Sequence, residues 1–249
     1  MPDDLKNILK RSPALVALVR GERARAAKRK RAWLMSPSVY LKQIDAYLRA
    51  QPVRKLQIGS GPVSLPGWLN TDTYPVAPAD VYMDAAKPFP FAERTFDFVF
   101  SEHVIEHITY DEGFSMLRES FRVLKPGGWI RIATPDLKKI VDLFSRPQTE
   151  RQRRYIEWSM AANNPQVKLG SECFVLNSFV RNWGHQFIYD PPTLHAALNS
   201  AGFIEVRPCS PGESQNPALR GLESHGQQIG EEWNEFETMV IEAQRAVTD

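Results

Sequence analysis

The stretch from Ser101 to His107 concentrates residues that can do acid–base or metal chemistry. It reads Ser-Glu-His-Val-Ile-Glu-His, and on a helix His103, Glu106 and His107 would share one face. Two imidazoles and one carboxylate can bind a divalent cation, with Mn²⁺ or Zn²⁺ favoured over Mg²⁺. We predict a metal site at His103, Glu106 and His107, and His103 is also a candidate general base. A structural role stays open, with Glu106 and His107 capping local backbone.

His185 is the second candidate catalytic residue. It lies in a long aromatic insert, and long inserts in compact domains are often lids or binding loops. His185 could complete a metal site or act as a general base, and a surface or hydrogen-bonded core histidine is the alternative. His225 could line an acceptor pocket or have a structural role. The aromatic side chains of the insert suit a sugar or ring substrate, and packing against the core is their other explanation.

A nucleoside ligand is indicated by the residues that end three apolar runs. Leu56-Gln-Ile-Gly-Ser-Gly61 ends in glycines, which let the backbone approach a ligand closely. Asp72 and Asp84 end the next two runs, and carboxylates can accept hydrogen bonds from ribose hydroxyls. Ligands of open α/β sheets bind outside the carboxyl ends of the strands, so we expect these residues to converge.

Alternating apolar runs and helical segments predict a doubly wound α/β sheet. Only six residues separate Gly61 from Trp68, too few for a crossover helix, so the first helix must be missing. A dinucleotide is thereby disfavoured, because its pyrophosphate binds at the N-terminus of that helix. The patterns predict strands over 53–58, 68–72, 81–84, 96–101, 129–133, 203–208 and 221–227, and helices over 3–19, 38–50, 111–124, 136–145, 149–162, 193–201 and 231–246.

With these motifs in this order, residues 53–135 resemble the class I S-adenosylmethionine-dependent methyltransferases, type 11-like, with a weaker match beyond. Arg122-Val-Leu-Lys-Pro-Gly-Gly128 before a strand is the most specific stretch. The resemblance implies a Rossmann-like, mostly parallel seven-stranded sheet that binds S-adenosylmethionine. Gln57 stands where the family often has an acid, and Val63 where a third glycine often sits. The cofactor-binding residues implied are Gln57, Gly59, Ser60, Gly61, Asp72, Asp84, Ala85 and Ser101.

The resemblance also implies what the enzyme acts on. Some metal-dependent O-methyltransferases carry Glu-x-x-Glu-His where this chain has His103, Glu106 and His107. The chain therefore resembles an S-adenosylmethionine-dependent O-methyltransferase that acts on a sugar or another small hydroxylated acceptor, a small molecule or an oligosaccharide, with help from Mg²⁺, Mn²⁺ or Zn²⁺. Three alternatives stay open: an NAD- or nucleotide-sugar-dependent Rossmann enzyme, a His-x-x-Glu-His metallopeptidase, and a non-catalytic methyltransferase-like interaction module.

Composition and charge set the remaining expectations. We predict a basic helical arm over 1–36 and a methyltransferase domain over 37–249, with an acceptor-side insert at about 146–190. Residues 20–31 hold seven basic residues and one acidic residue, and could contact a membrane or an acidic partner. The net charge of +2 gives no reason to expect specific nucleic-acid binding. Two separated cysteines and the lack of a signal-peptide pattern favour the cytoplasm, and a homo-oligomer stays open.

Overall fold

The computed structural model describes residues 13–75 and 80–247, and it contains one seven-stranded sheet. The strand order is β3-β2-β1-β4-β5-β7-β6. Strands β1 to β5 are parallel to one another, and β7 is antiparallel to both β5 and β6. The predicted mostly parallel α/β sheet is therefore confirmed. The strands are β1 (Lys55–Ile58), β2 (Leu69–Asp72), β3 (Val81–Tyr82), β4 (Phe96–Glu102), β5 (Leu124–Pro135), β6 (Ile204–Cys209) and β7 (Thr238–Gln244).

Helices begin where the sequence offers capping groups. Thr109 and Glu112 form a capping box at the start of α3, and Asp190 caps α7, which opens with proline. The apolar faces of α2, α3 and α7 contribute to the main core against the sheet. The helices are α1 (Pro13–Leu34), α2 (Pro37–Ala50), α3 (Tyr110–Val123), α4 (Leu137–Val141), α5 (Glu150–Asn163), α6 (Glu172–Arg181), α7 (Pro191–Ser200), α8 (Gly226–Ile229) and α9 (Glu231–Glu237).

The connection from β1 to β2 contains no helix, as its length predicts. A side-chain amide holds this loop in place of helical hydrogen bonds. Gln57 Nε2 donates to the Val63 carbonyl at 3.1 Å, and the Leu65 amide donates to Gln57 Oε1 at 3.3 Å. Gln57 therefore holds the loop that stands in place of a crossover helix.

The prediction for the C-terminal segment is wrong in two places. Residues 221–227 do not form a strand but run into the short helix α8, and the helix predicted over 231–246 ends at Glu237. The following segment is β7, which lies buried between β5 and β6. Pairing on both edges overrides the helical propensity of Glu, Ala and Gln in this segment. The seventh strand is consequently 238–244.

The insert after β5 has its own core. Side chains of α4, α5 and α6 form a second apolar cluster, with Trp233 and Phe236 of α9 packed against it. The predicted helix over 136–145 is observed as α4 followed by a turn of 3₁₀ helix at Asp142–Phe144. Residues 163–190 contain α6, so much of the insert is ordered by packing rather than left as a loop.

The basic run lies on α1, where Arg25, Lys28, Arg29 and Lys30 are exposed. Leu34 anchors the end of this helix in the protein, and Arg31 lies over the ring of Tyr74. The predicted helix over 3–19 falls mostly outside the described residues. Contact of the arm with a membrane or an acidic partner stays a prediction. None of the described helices is long and apolar enough to cross a membrane.

Candidate cofactor and acceptor site

A cleft of about 280 Å³ opens at the carboxyl ends of β1 and β4. Gly59 and Gly61 have φ angles of +67° and +52°, a left-handed conformation that favours glycine. A Cβ at Gly59 would overlap Val104 Cγ2, whereas one at Gly61 would meet no atom within 4 Å. The backbone at Gly61 is therefore open on this side, whereas Val104 fills the space beside Gly59. The lining residues predicted from sequence are Gln57, Gly59, Ser60, Gly61, His103 and His107.

Asp72 joins the glycine loop to the tip of β2. Its Oδ2 accepts from the Gly61 amide at 2.9 Å, and its Oδ1 accepts from the Tyr74 amide at 2.6 Å. A carboxylate has about four acceptor positions, so capacity remains for ribose hydroxyls. Asp84 caps the turn after β3 by accepting from the Ala86 amide at 2.9 Å. The described residues that line the cleft do not include Asp72, Asp84, Ala85 or Ser101.

Two buried serine hydroxyls at the strand tips have no hydrogen-bond partner among the described residues. They are Ser60 Oγ, in the glycine loop, and Ser101 Oγ, near the end of β4. Buried hydroxyls without partners are unusual in native structures, and a bound polar ligand is one way to satisfy them. The glycine loop, the Asp72 carboxylate and the Ser60 hydroxyl thus meet at the tips of β1 and β2.

A second cavity of about 420 Å³ adjoins the cleft. Four residues line both spaces: His103, Trp183, His225 and Gln228. The rest of the second cavity combines aromatic walls with hydrogen-bonding groups, and includes Tyr155, Trp158, Ser159, Asn163, Phe179 and Glu237. Trp183 keeps 56% of its surface exposed and has a positive φ of +57°. We refer to this space as the acceptor cavity.

His103 lies on the wall between the cleft and the acceptor cavity. Its backbone has a φ of +50°, and its amide donates to the Ala133 carbonyl at 2.9 Å. Its Nδ1 lies 2.9 Å from Glu106 Oε1, whereas its buried Nε2 has no hydrogen-bond partner among the described residues. Burial alone would lower the pKa of His103, but the hydrogen bond and charge of Glu106 raise it above its ordinary value.

Glu106 is fully buried and is held from two sides. Its Oε2 accepts from Thr134 Oγ1 at 3.0 Å, and its other oxygen faces the His103 ring. Burial would raise the pKa of Glu106, but the contact with His103 and the charge of that imidazole lower it. The pair therefore favours an ionised carboxylate that orients the imidazole through Nδ1, leaving Nε2 directed away from it.

A group with metal-ligand character is formed by Glu106, His107 and His185. The ligand atoms of these three residues all lie within 4.8 Å of one another. His185 Nδ1 lies 2.6 Å from the Phe179 carbonyl, which leaves Nε2 for a ligand. Burial lowers the pKa of His185, which favours the neutral imidazole that binds metals. The structure thus brings His185 into the group predicted from sequence, and His103 pairs with Glu106 outside it.

Two acidic residues of the site carry no sequence signal. The Glu102 carboxylate accepts from the Ser224 amide and hydroxyl, each at 2.9 Å, and from the His225 amide at 3.0 Å. Glu237 lines the acceptor cavity from the end of α9. The hydrogen bonds of Glu102 span more than a hundred residues, and no local pattern indicates such a contact.

Residues 57–132 match the family model described as "Methyltransferase domain". No curated protein matches the chain by sequence. A possible histamine N-methyltransferase from Thermotoga maritima is 16% identical, with 88% of this chain and 95% of that chain covered and a TM-score of 0.42. Phosphoethanolamine N-methyltransferase 2 from Haemonchus contortus is 13% identical, with 87% and 56% covered and a TM-score of 0.44. An S-adenosylmethionine-dependent methyltransferase from Mesorhizobium loti is 17% identical, with 80% and 96% covered and a TM-score of 0.43.

The matched segment runs from β1 into β5 and contains the glycine loop, Asp72, Asp84 and the tip of β4. These are the parts of the sheet that form and border the cleft. Over residues 57–132, the chain therefore carries the core of a methyltransferase domain.

Proposed function

We propose that this methyltransferase transfers the methyl group to an oxygen of a small hydroxylated acceptor, with His103 as the general base. The main support for this proposal is the position of His103, which lines both the cleft and the acceptor cavity. Its buried Nε2 has no hydrogen-bond partner among the described residues. A neutral alcohol is a weak nucleophile, so a group that removes its proton belongs at the boundary between cofactor and acceptor.

The glycine loop and Asp72 would hold the cofactor, with Gly59, Ser60 and Gly61 at its amino-acid end and the carboxylate at its ribose. Bound S-adenosylmethionine supplies an electrophilic methyl group, whose bond to sulfur breaks as a bond to the acceptor oxygen forms. The protein aligns the acceptor and excludes water, and such positioning accounts for much of the rate of group-transfer enzymes.

The proton of the acceptor hydroxyl goes to His103 Nε2. Glu106 Oε1 lies 2.9 Å from Nδ1, so its carboxylate would stabilise the imidazolium that forms. Thr134 holds the carboxylate in turn.

The acceptor cavity supports a sugar or a similar polyhydroxylated compound. Aromatic side chains such as Trp158 and Trp183 can stack on the apolar face of such a ring, while Asn163 and Gln228 can hydrogen-bond its hydroxyls. A cavity of about 420 Å³ lies within the usual range for small-molecule sites.

His103→Gln tests the proposed base. We expect binding of S-adenosylhomocysteine to persist, while methyl transfer to a panel of methyl hexopyranosides falls by about 10²–10⁴-fold. In His103→Ala, which leaves space for the molecule, added imidazole should restore part of the lost rate. His195→Gln is the matched control, since that histidine is exposed on α7 and bonds to Asn199. Unchanged transfer by the His103→Gln variant would refute the proposal.

A metal-assisted version is the second candidate, and the cluster of Glu106, His107 and His185 favours it. The donor set of two imidazoles and one carboxylate fits Mn²⁺ or Zn²⁺ better than Mg²⁺. A cation held there would lower the pKa of an acceptor hydroxyl, as zinc does for bound water.

Titration with Mn²⁺ alone separates the two versions. The metal version expects one bound ion per chain, lost in His107→Ala, and transfer that stops after exhaustive chelation. The base version expects transfer that survives both treatments. Binding of Mn²⁺ to wild type and His107→Ala with equal affinity would remove the metal from this site.

A further inference from the structure

We propose that His225 and Glu237 form a second hydroxyl site beside His103, and that the acceptor is a vicinal diol. This inference rests on the proposed function, since it names the class of acceptor that the same cavity takes. One hydroxyl loses its proton to His103, and the neighbouring hydroxyl is held by His225 and Glu237.

Two imidazole–carboxylate pairs lie side by side at the wall between the cavities. The rings of His103 and His225 stack with centroids 3.9 Å apart and an interplanar angle of 39°. Glu106 faces the first ring, and Glu237 faces the second. Because the two rings are this close, hydroxyls that contact them would lie near each other on one acceptor, as hydroxyls on adjacent carbons do.

The gap between His225 and Glu237 suits a bridging hydroxyl. His225 Nε2 lies 3.6 Å from Glu237 Oε1, which is longer than a direct hydrogen bond. Both residues line the acceptor cavity. A hydroxyl that contacts both atoms from the cavity could accept from the imidazole N–H and donate to the carboxylate.

The second oxygen of Glu237 is already engaged. Tyr155 Oη donates to Oε2 at 2.5 Å, and burial, together with the charge of Glu237, raises the pKa of Tyr155 well above its ordinary value. Tyr155 therefore stays neutral and keeps its proton directed at the carboxylate. Glu237 is held in one orientation, with Oε1 on the side of His225.

The loop that carries His225 is fixed as firmly. Glu102 at the end of β4 binds the backbone amides of Ser224 and His225, and His103 is its immediate neighbour in sequence. One strand end therefore sets the positions of both histidines. A ring that served only as packing would not need a carboxylate at its Nε2 edge.

Matched acceptors test the inference through specificity. The probes are methyl α-D-mannopyranoside, which has adjacent hydroxyls, its 3-deoxy analogue, which has none, and the pair catechol and phenol. We expect kcat/KM for a diol to exceed that of its matched analogue by about 100-fold, because a site built to bind a hydroxyl rejects the compound that lacks it.

Substitution should remove this preference and spare the cofactor. In Glu237→Gln and His225→Gln we expect the ratio of diol to analogue to fall below about fivefold, with S-adenosylhomocysteine affinity unchanged within about twofold. His195→Gln should keep the full ratio. The test uses both Glu237→Gln and His225→Gln, so it still holds if one of the two variants fails to fold.

The outcomes separate this inference from the proposed function. Equal transfer to diols and analogues by wild type would overturn the diol class alone. If His225→Gln reduced transfer to the diol and to its analogue in the same proportion, His225 would only position His103, and the diol class would also be overturned. No transfer to any probe, with S-adenosylhomocysteine still bound, would overturn both the diol class and the proposed O-methylation.

Discussion

Gly59→Ala should damage the cofactor site through a specific overlap with Val104. The φ of +67° disfavours any side chain, at a cost of about 1–2 kcal/mol in the free energy of unfolding. The added methyl also overlaps Val104 Cγ2, and overpacking of this kind costs about 1–3 kcal/mol more. Val104 directly follows His103, so a shift of its backbone would also displace the proposed base.

The matched control is Gly61→Ala, which has a similar φ of +52° and open space around the new methyl. It carries the backbone strain without the overlap. Val104→Ala in the Gly59→Ala background should restore the part of the stability lost to the overlap, because the nearest remaining atom, Cβ, lies 3.4 Å from the new methyl. We expect a coupling energy of about 1–3 kcal/mol between positions 59 and 104.

Urea unfolding and calorimetric titration with S-adenosylhomocysteine measure both effects. Gly59→Ala should lose at least about tenfold in affinity, and the double variant should recover most of it. Equal stability and affinity for Gly59→Ala and Gly61→Ala would refute the reasoning, since the overlap with Val104 would then have no consequence.

Two further predictions concern other parts of the molecule. Glu242 is fully buried beside Arg131, and although burial raises its pKa, hydrogen bonds and the arginine charge lower it below the ordinary value. Its contribution to stability is therefore present above about pH 4.3 and lost as the pH falls through the folded pKa. Glu242→Gln should lower the free energy of unfolding by about 3 kcal/mol at pH 7 and weaken its decrease at acid pH. An unchanged decrease at acid pH would contradict this. Asp72→Asn should weaken S-adenosylhomocysteine binding at least about tenfold with little loss of secondary structure by circular dichroism, whereas undiminished affinity would show that the carboxylate does not reach the cofactor.

The sequence predicts the first four strands well because each is a short apolar run that ends at a glycine, a serine or an acid, whereas β5 begins at Leu124, before the predicted 129–133. The absence of a crossover helix after β1 follows from the short connection between Gly61 and Trp68 alone. The end of the chain fails for a physical reason: Glu231–Glu237 is helical, but Thr238 begins a strand that pairs on both edges. Such pairing depends on β5 and β6, which are distant in sequence, so local propensity cannot predict it.

The candidate site shows the same division. His103, Glu106 and His107 are close in sequence, so their chemistry can be proposed from spacing. His185 lies beside Glu106 and His107 because its neighbour Gln186 hydrogen-bonds to both of their carbonyls. The backbone N–H of Gln186 donates to the Glu106 carbonyl at 2.8 Å, and its side-chain amide donates to the His107 carbonyl. Contacts between distant segments decide which of the candidates act together.

Calorimetric titration with S-adenosylhomocysteine and, separately, with NAD tests the central claim most directly. The strand-tip cleft predicts one site per chain for S-adenosylhomocysteine and no heat with NAD, because no helix follows β1 to receive a pyrophosphate. Saturable binding of NAD, with none of S-adenosylhomocysteine, would contradict it.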